Sequence, residues 1–324
     1  MIDILGIGNA IVDVVARADD GFLSRHDMHK GAMILVDAER AEAVYAAMPP
    51  GVESSGGSAA NTCAVAAGLG ARVAYIGKVA DDQLGGVFRH DIKAAGVDFP
   101  SSPLIGGAPT ARCLILVTPD GQRTMNTFLG ACVTLGEADV DATLVASAAV
   151  TYLEGYLFDP PEAQAAFRKA AAAAHAAGKQ VALSLSDAFC VHRHRAAFRD
   201  LVAGHVDILF ANETEITALY EENTWEAAAE HARRDVGLAA LTRGEGGSVV
   251  LRGGETVVVA PEYARIVDTT GAGDAYAAGF LTALTAGLAL PACGRLGSLA
   301  AAEVIGHYGA RPEADLRVMR KLVG

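Results

Sequence analysis

Short apolar runs alternate with longer segments of helical periodicity along most of this chain. Strands that alternate with helices in this way are typical of βαβ units, which build a parallel sheet with helices on both faces. The pattern therefore predicts an α/β fold with a central, mostly parallel β-sheet flanked by helices. The predicted strands are 2–7, 72–77, 148–153, 180–184, 206–210 and 238–241, and the predicted helices are 58–69, 83–95, 161–177, 193–202, 213–220, 224–236 and 275–288.

Two segments depart from this alternation and carry β-type patterning. One of them has alternating runs at 111–118 and 122–128 on either side of Pro119-Asp120-Gly121, and an Asp-Gly turn between such runs predicts a β-hairpin. Because antiparallel strands do not fit a parallel sheet, we predict a small β-sheet lid over the carboxyl edge of the core, where α/β folds bind ligands. The predicted division places residues 1–11, 38–96 and 129–324 in the core and residues 12–37 and 97–128 in the lid, with approximate boundaries.

The composition is apolar and acidic. Of 324 residues, 52% are hydrophobic and 20% are charged, which is enough material for a large core. The 26 Lys and Arg residues against 38 Asp and Glu residues give a net charge of −12. A surface of that sign repels phosphate backbones, so we expect no nucleic-acid partner.

Cysteine usage and the apolar segments bear on location. The five cysteines are odd in number and form no Cys-x-x-Cys pair, which indicates a reducing compartment. The first residues lack the basic region of a signal peptide and predict a strand instead. Residues 275–294 carry no charge over 20 positions, but their glycines and proline favour a buried helix over a membrane span. We therefore expect a cytoplasmic protein with no membrane partner.

The segment Asp-Thr-Thr-Gly-Ala-Gly-Asp at 268–274 precedes a predicted helix and carries the clearest chemistry. The small residues Gly271, Ala272 and Gly273 let the backbone approach a ligand, and the helix N-terminus behind them favours an anion. Asp274 then has two interpretations. It caps the helix, or it accepts a proton from an attacking hydroxyl while the N–H groups stabilise a transferring phosphoryl group.

Two other phosphate-binding motifs do not fit. The chain contains no Gly-x-x-x-x-Gly-Lys-Ser/Thr sequence, which excludes a P-loop. Gly6 and Gly8 follow a predicted strand, but Ile11 stands where a dinucleotide fingerprint needs its third glycine. This argues against an NAD-dependent oxidoreductase.

Four glycine-rich or acidic motifs follow one another along the chain. They are Gly-Gly-Ser-Ala-Ala-Asn at 56–61 with 68–70 and 77–85, Asn-Glu-Thr-Glu at 212–215, Thr-Arg-Gly-Glu-Gly-Gly at 242–247, and the segment 268–281. Together they resemble the motifs of the ribokinase-like (PfkB) carbohydrate and nucleoside kinases. The resemblance covers nearly the whole chain, in the family's order, with mild departures at Cys63 and Ala80. It implies a ribokinase-like fold with a small β-sheet lid.

The resemblance implies transfer of the γ-phosphoryl group of ATP to a primary hydroxyl. It makes Asp274 the catalytic base and Gly271, Ala272 and Gly273 the anion hole. Mg²⁺ is the expected cofactor because charge on the transferring group must be neutralised. Many relatives also need a monovalent cation such as K⁺ beside the anion hole, and the sequence leaves that open.

The same resemblance assigns the nucleotide side of the site. Asn212 and Glu215 would organise Mg²⁺ and phosphates through water, and Glu215 has the alternative of a solvated helix residue. Thr242, Gly244 and Gly247 would line the nucleotide pocket, with a plain turn between two strands as the alternative.

The acceptor side is predicted from short polar residues near the first strand and the first motif. Asn9, Asp13 and Asn61, with Gly56 and Gly57 allowing close approach, are suited to grip the vicinal hydroxyls of a furanose. Their Gly-Asn-x-x-x-Asp spacing, with the segments 128–132 and 154–156, is similar to the adenosine-kinase-like subgroup.

We therefore expect a nucleoside acceptor, most simply adenosine phosphorylated at its 5′-hydroxyl. A free sugar of the ribose or fructose class is the alternative, followed by a phosphosugar, which needs a cationic pocket that the sequence does not place. A non-catalytic nucleoside sensor and an oxidoreductase rank lower. The expected oligomeric state is a monomer or a homodimer.

Overall fold

Two β-sheets and the helices around them make up residues 2–323, which this computed structural model describes. In chain order the strands are β1 (Ile2–Ile7), β2 (Ile11–Arg17), β3 (Met33–Leu35), β4 (Val52–Gly56), β5 (Val73–Ile76), β6 (Val97–Asp98), β7 (Ala111–Val117), β8 (Arg123–Phe128), β9 (Ala148–Glu154), β10 (Gln180–Ser184), β11 (Ile208–Asn212), β12 (Leu238–Thr242), β13 (Ser248–Arg252) and β14 (Glu255–Val259). The helices are α1 (Asp20–Arg25), α2 (Ala38–Ala47), α3 (Ser58–Gly68), α4 (Gln83–Ala94), α5 (Ala142–Ser147), α6 (Pro161–Ala176), α7 (Ala188–His205), α8 (Glu213–Tyr220), α9 (Trp225–Asp235), α10 (Ala272–Thr285), α11 (Leu290–Val304) and α12 (Arg317–Arg320).

The main sheet has nine strands in the order β14-β13-β12-β11-β10-β9-β1-β5-β6. From β12 to β6 all neighbouring pairs are parallel, and β13 and β14 add an antiparallel hairpin at the other edge. This confirms the predicted α/β fold with a mostly parallel sheet. The hairpin was not among the predicted strands.

Helices cover both faces of the main sheet. Successive side chains of a strand point to opposite sides, so the apolar strands of this sheet present an apolar surface on each face. On β1, Ile4 is buried in one apolar cluster and Leu5 in the other. The first cluster includes residues of α3, α10 and α11, and the second includes residues of α6, α7 and α8. The uncharged stretch at 275–294 is divided between α10 and α11, and no helix within residues 2–323 combines the length and apolar character needed to cross a membrane.

A second sheet of five strands, in the order β3-β8-β7-β2-β4, forms the lid sheet. The predicted hairpin is present as β7 and β8, with Val117 paired to Arg123 across the turn. The chain enters this sheet directly after β1, so residues 8–10 join the two sheets. The lid sheet therefore begins next to the carboxyl end of a central strand.

Two strands lie on the other side of the predicted domain boundaries. β4 pairs with β2 in the lid sheet, although residues 38–96 were assigned to the core. Its sequence, Val-Glu-Ser-Ser-Gly, lacks apolar alternation, and only its long-range pairing makes it a strand. β6, at the start of the predicted lid segment 97–128, instead pairs with β5 in the main sheet.

Candidate active site

A cavity of about 1430 Å³ lies between the lid sheet and the carboxyl ends of the main-sheet strands. Glu154, Ser184, Asn212 and Thr242, at the ends of β9 to β12, line its floor. A pocket for one small ligand has a volume of about 300–1,000 Å³, so this cavity has room for two ligands side by side. Its place agrees with the rule that open α/β sheets bind ligands at their carboxyl edge.

The start of α10 forms an anion-binding turn. Gly271 has a φ of +78°, and a Cβ at this position would lie 2.6 Å from the Cβ of Ala310. The N–H groups of Gly273 and Asp274, in the first turn, have no intrahelical partner, and the helix dipole adds partial positive charge there. Nothing in the described structure lies within 4 Å of a Cβ built on Gly273, so this turn is open to a ligand.

Asp274 follows this turn and points away from its own helix. One carboxylate oxygen accepts a hydrogen bond of 2.6 Å from Ser58 Oγ, and the other lies 3.4 Å from Asn61 Nδ2. No side chain caps α10, so the capping interpretation of Asp274 does not describe the structure. Burial raises the pKa of Asp274 to about 6, against the effect of its hydrogen bonds to Ser58 and Asn61. A carboxylate with that pKa is mainly ionised at neutral pH and able to accept a proton.

Asn9 is held in the cavity wall by a buried glutamate at the end of β9. Its Nδ2 and backbone N–H donate to Oε1 of Glu154 at 2.7 and 3.2 Å, and the backbone N–H of Ala59 donates to Oε2 at 2.7 Å. Burial raises the pKa of Glu154 to about 7. The Oδ1 atom of Asn9 is buried and has no hydrogen-bond partner among the described residues. A buried acceptor without a partner is uncommon, and in a residue that lines the cavity it is a candidate to accept from a ligand hydroxyl.

Asp13 lies on β2 of the lid sheet and, like Asn9, lines the cavity. Burial raises the pKa of Asp13 to about 6, although the guanidinium groups of Arg311 and Arg123 act in the opposite direction. A Cβ on Gly56 would lie 2.3 Å from Asp13 Oδ2, and one on Gly57 would lie 2.1 Å from the carbonyl oxygen of Asn9. Gly56 is therefore needed for the packing of β4 against Asp13 within the lid sheet, and Gly57 for the close approach of the start of α3 to the backbone of Asn9.

Asn212 and Glu215 bind each other at the start of α8. The backbone N–H and Nδ2 of Asn212 donate to the two Glu215 carboxylate oxygens at 2.9 and 2.7 Å, and the Glu215 N–H donates back to Asn212 Oδ1 at 2.9 Å. Glu215 is 8% exposed, which does not fit a solvated helix residue, and burial raises its pKa to about 7. Both residues line the cavity. Because both carboxylate oxygens already accept hydrogen bonds, the pair fits a cation held through water better than direct coordination.

Thr242, Gly244 and Gly247 line the cavity where β12 turns into β13. The two glycines have φ values of +52° and +78°, which glycine adopts without strain. The segment is thus a turn between strands, as the alternative interpretation had it, and it also faces the cavity.

The lid sheet presents an apolar surface to the cavity that sequence reasoning did not identify. Met33 and Leu35 of β3 remain 53% and 58% exposed there. Ile115 and Met125, on β7 and β8, line the same wall. A flat apolar wall opposite the polar floor suits the face of an aromatic ring.

A lid arginine contacts the start of the Asp-Thr-Thr-Gly motif. This contact was not predicted from the sequence. Arg123 on β8 forms an ion pair with Asp268 and donates to Thr270 Oγ1 at 2.9 Å. Asp268 also accepts from the backbone N–H of Gly309 at 2.9 Å. Arg123 and Asp268 lie 145 positions apart, and no local pattern marks such a pair.

The electrostatics of the cavity are strongly acidic. Among the described residues its lining includes eight carboxylates and a single basic side chain, Arg193. No group of three or more His, Cys, Asp or Glu residues within 2–323 is arranged to hold a metal ion directly. A polyanionic ligand therefore needs its own counter-ion here.

An ionised carboxylate beside an anion-binding helix start, under a lid, defines a phosphotransferase with an alcohol group as acceptor. The chain belongs to the pfkB family of carbohydrate kinases, whose family model matches residues 33–316. Membership makes ATP the phosphoryl donor.

Solved structures and curated relatives agree with this membership. An adenosine kinase from Sinorhizobium meliloti is 55% identical, covers 100% of this chain and 99% of its own, and superposes with a TM-score of 0.91. A probable sugar kinase protein from Rhizobium etli CFN 42 is 50% identical over 99% of this chain and 98% of its own, also with a TM-score of 0.91. An ATP-dependent ribose-1-phosphate kinase from Halopiger xanaduensis is 32% identical over 271 residues, 81% of this chain and 85% of that protein.

Proposed function

We propose that this chain transfers the γ-phosphoryl group of ATP to the 5′-hydroxyl of adenosine, giving AMP and ADP. The observation that carries the proposal is that Asp274, in the first turn of α10, accepts a hydrogen bond from Ser58 and lines the same cavity as Asn9 and Asp13. The 55% identity to an adenosine kinase over the whole chain supports the choice of nucleoside.

Asp274 accepts the proton of the 5′-hydroxyl in this mechanism. The oxygen forms a bond to the γ-phosphorus while the bond from that phosphorus to the β,γ-bridging oxygen breaks, and ADP leaves with the bonding pair. The turn of Gly271, Ala272 and Gly273 is the proposed anion hole for the charge on the transferring group. The Ala272 N–H donates to the carbonyl oxygen of Thr269 at 3.3 Å, so the N–H groups of Gly271 and Gly273 are the proposed donors. Ser58, which donates to Asp274, fixes the base in place.

The acceptor is proposed to lie between the polar side chains of Asn9, Asp13 and Asn61 and the apolar wall of the lid sheet. The unpartnered Oδ1 of Asn9 and the carboxylate of Asp13 accept hydrogen bonds from ribose hydroxyls, with Asn61 beside them. Gly56 and Gly57 keep this region free of side chains. The base lies against the apolar lid residues Met33, Leu35, Ile115 and Met125.

On the donor side, Thr242, Gly244 and Gly247 are proposed to contact the nucleotide. Asn212 and Glu215 would hold Mg²⁺ through water, and this fits the acidic lining, which disfavours an uncompensated triphosphate. When bound, Mg²⁺ neutralises phosphate charge and orients the donor. The need for a monovalent cation such as K⁺ was left open by the sequence, and comparing turnover in potassium and tetramethylammonium salts tests it.

A free sugar remains the second candidate, since a probable sugar kinase protein is 50% identical over nearly the whole chain. A ribose phosphate fits less well, because its charge would meet the acidic lining without a cluster of basic side chains. ADP formation from Mg-ATP distinguishes these candidate acceptors. Each compound is assayed separately as acceptor: adenosine, inosine, guanosine, ribose, fructose, fructose 6-phosphate and ribose 1-phosphate. Turnover on adenosine alone supports the proposal, and turnover only on a sugar contradicts it.

Location and assembly remain proposals as well. All five cysteines are free and buried, which fits the reducing cytoplasm proposed from the sequence. We propose a monomer or homodimer, and light scattering on the purified chain decides between them.

A further inference from the structure

Arg311, near the end of the chain, joins a strand of the lid sheet to a helix of the core. Its guanidinium donates to the carbonyl oxygen of Ser55 at 2.7 Å, to Ser55 Oγ at 2.9 Å and to the carbonyl oxygen of Ala60 at 3.2 Å. Ser55 belongs to β4 of the lid sheet, and Ala60 belongs to α3 of the core. The guanidinium therefore links a lid strand to the helix that carries Ser58 and Asn61.

The strand and helix held by Arg311 position both carboxylates of the proposed site. On the lid side, Ser55 pairs with Val12, the neighbour of Asp13, across the β2–β4 ladder. On the core side, the first turn of α3 donates to both oxygens of Asp274. One residue thus bears on the position of two acidic groups, Asp13 on β2 of the lid sheet and Asp274 on α10 of the core.

The charge of Arg311 also faces these carboxylates. Burial lowers the pKa of Arg311, and Asp91 of α4, Asp13 of β2, Cys63 of α3 and Asp274 of α10 oppose that effect. Burial raises the pKa values of Asp13 and Asp274, and the charge of Arg311 acts in the opposite direction on both. Arg123 lies near Asp13, and Asp13 itself raises the pKa of Asp274. The charge of Asp274 raises the pKa values of Glu154 and Glu215.

The residues just before Arg311 support the anion-binding turn. The backbone N–H of Gly309 donates to Asp268 at 2.9 Å, and the Cβ of Ala310 occupies the space beside Gly271. Segment 309–311 therefore touches the anion-binding turn, α3 and the lid sheet in three successive residues. No motif discussed above includes it.

We propose that Arg311 is a positioning residue for phosphoryl transfer, which holds β4 against α3 and compensates the charge of Asp13 and Asp274 while touching neither substrate. Arg311 does not line the cavity, so its effect must pass through these neighbours. The inference rests on the proposed function for the identity of the acceptor.

The test compares Arg311→Met, Arg311→Lys and wild type in steady-state kinetics across pH 5–9. Loss of the positive charge raises the pKa of Asp274, so in Arg311→Met the acid limb of kcat/KM moves up by about one pH unit. We expect the acceptor KM to rise by about tenfold, because three hydrogen bonds to the guanidinium are lost, and the ATP KM to stay unchanged. Arg311→Lys keeps the charge and therefore the wild-type acid limb, while its acceptor KM rises because the forked contact is lost.

Arg317→Met is the matched control, since Arg317 is exposed and forms no ion pair among the described residues. An equal rise of the acceptor KM and the ATP KM in a folded Arg311→Met variant would overturn the proposal. An unchanged acid limb of its kcat/KM profile would overturn it as well. If Arg311→Met does not fold, Arg311→Lys decides, and wild-type acceptor KM in that variant overturns it. Wild type is assayed beside the variants on the full acceptor panel, so a wrong acceptor appears there and not as a variant effect.

Discussion

Replacing Gly271 with alanine tests whether its surroundings fix the start of α10. The residue has a φ of +78°, and the new Cβ would lie 2.6 Å from the Cβ of Ala310. A left-handed conformation costs an L-residue about 1–2 kcal/mol, and overpacking adds about 1–3 kcal/mol. We therefore expect Gly271→Ala to lower the free energy of unfolding by about 2–5 kcal/mol.

Gly287, just after the other end of α10, supplies the matched control. Its φ is +79°, and nothing in the described structure lies within 4 Å of a Cβ built there. Gly287→Ala introduces the same backbone strain without the contact, so it should cost about 1–2 kcal/mol. The difference between the two variants measures the contact with Ala310.

Urea unfolding and steady-state turnover are measured on both variants. Relief of the contact moves the N–H groups of the anion-binding turn, and loss of one such donor lowers kcat by about 10²–10³-fold. Gly271→Ala should show this loss, and Gly287→Ala should turn over like wild type. Equal stability and turnover in the two variants would refute the argument that Ala310 fixes the turn.

Further predictions follow from three carboxylates, those of Asp274, Asp13 and Glu154. Asp274→Asn should lower turnover by about 10²–10⁴-fold while ATP still raises the melting temperature, and near-normal turnover would exclude Asp274 as the base. In wild type, kcat/KM should fall below about pH 6, where Asp274 becomes protonated. Asp13→Ala should raise the acceptor KM far more than the ATP KM, and equal losses would assign Asp13 to the fold. The pKa of Glu154 is raised on folding to about 7, so the folded state binds its proton more tightly. Its stabilising contribution should be complete at low pH and be lost as the pH rises from about 4.3 to 7, with a slope of up to about 1.4 kcal/mol per pH unit. Urea titrations of wild type and Glu154→Gln measure that slope, and equal pH dependence in both would contradict the assignment.

The main sheet was predictable because its parallel strands are short apolar runs, buried on both faces. β4 was not, since Glu53, Ser54 and Ser55 break the apolar alternation and the strand exists through its pairing with β2. The β13–β14 hairpin carried a usable signal, two Val-rich runs joined by Gly253-Gly254. That signal was local and was missed.

The features of the candidate site also divide into those that a local sequence pattern predicts and those that depend on long-range contacts. The anion-binding turn and the Asn212–Glu215 pair are made by neighbours in sequence, so local patterns reveal them. The contacts of Asp274 with Ser58 and of Arg311 with Ser55 join positions 216 and 256 residues apart. Contacts over such separations depend on sheet order and strand register, which a single sequence does not determine.

Transfer to the 5′-hydroxyl is tested by following the γ-phosphoryl group itself. γ-labelled Mg-ATP is incubated with adenosine and, separately, with 5′-deoxyadenosine, and the products are separated by chromatography. Adenosine should give one labelled AMP for each ADP formed, and 5′-deoxyadenosine should give no labelled product. In Asp274→Asn the rates of AMP and ADP formation should both fall by a large factor. Label in a product of 5′-deoxyadenosine, or none in AMP while a free sugar is phosphorylated, would contradict transfer to the 5′-hydroxyl.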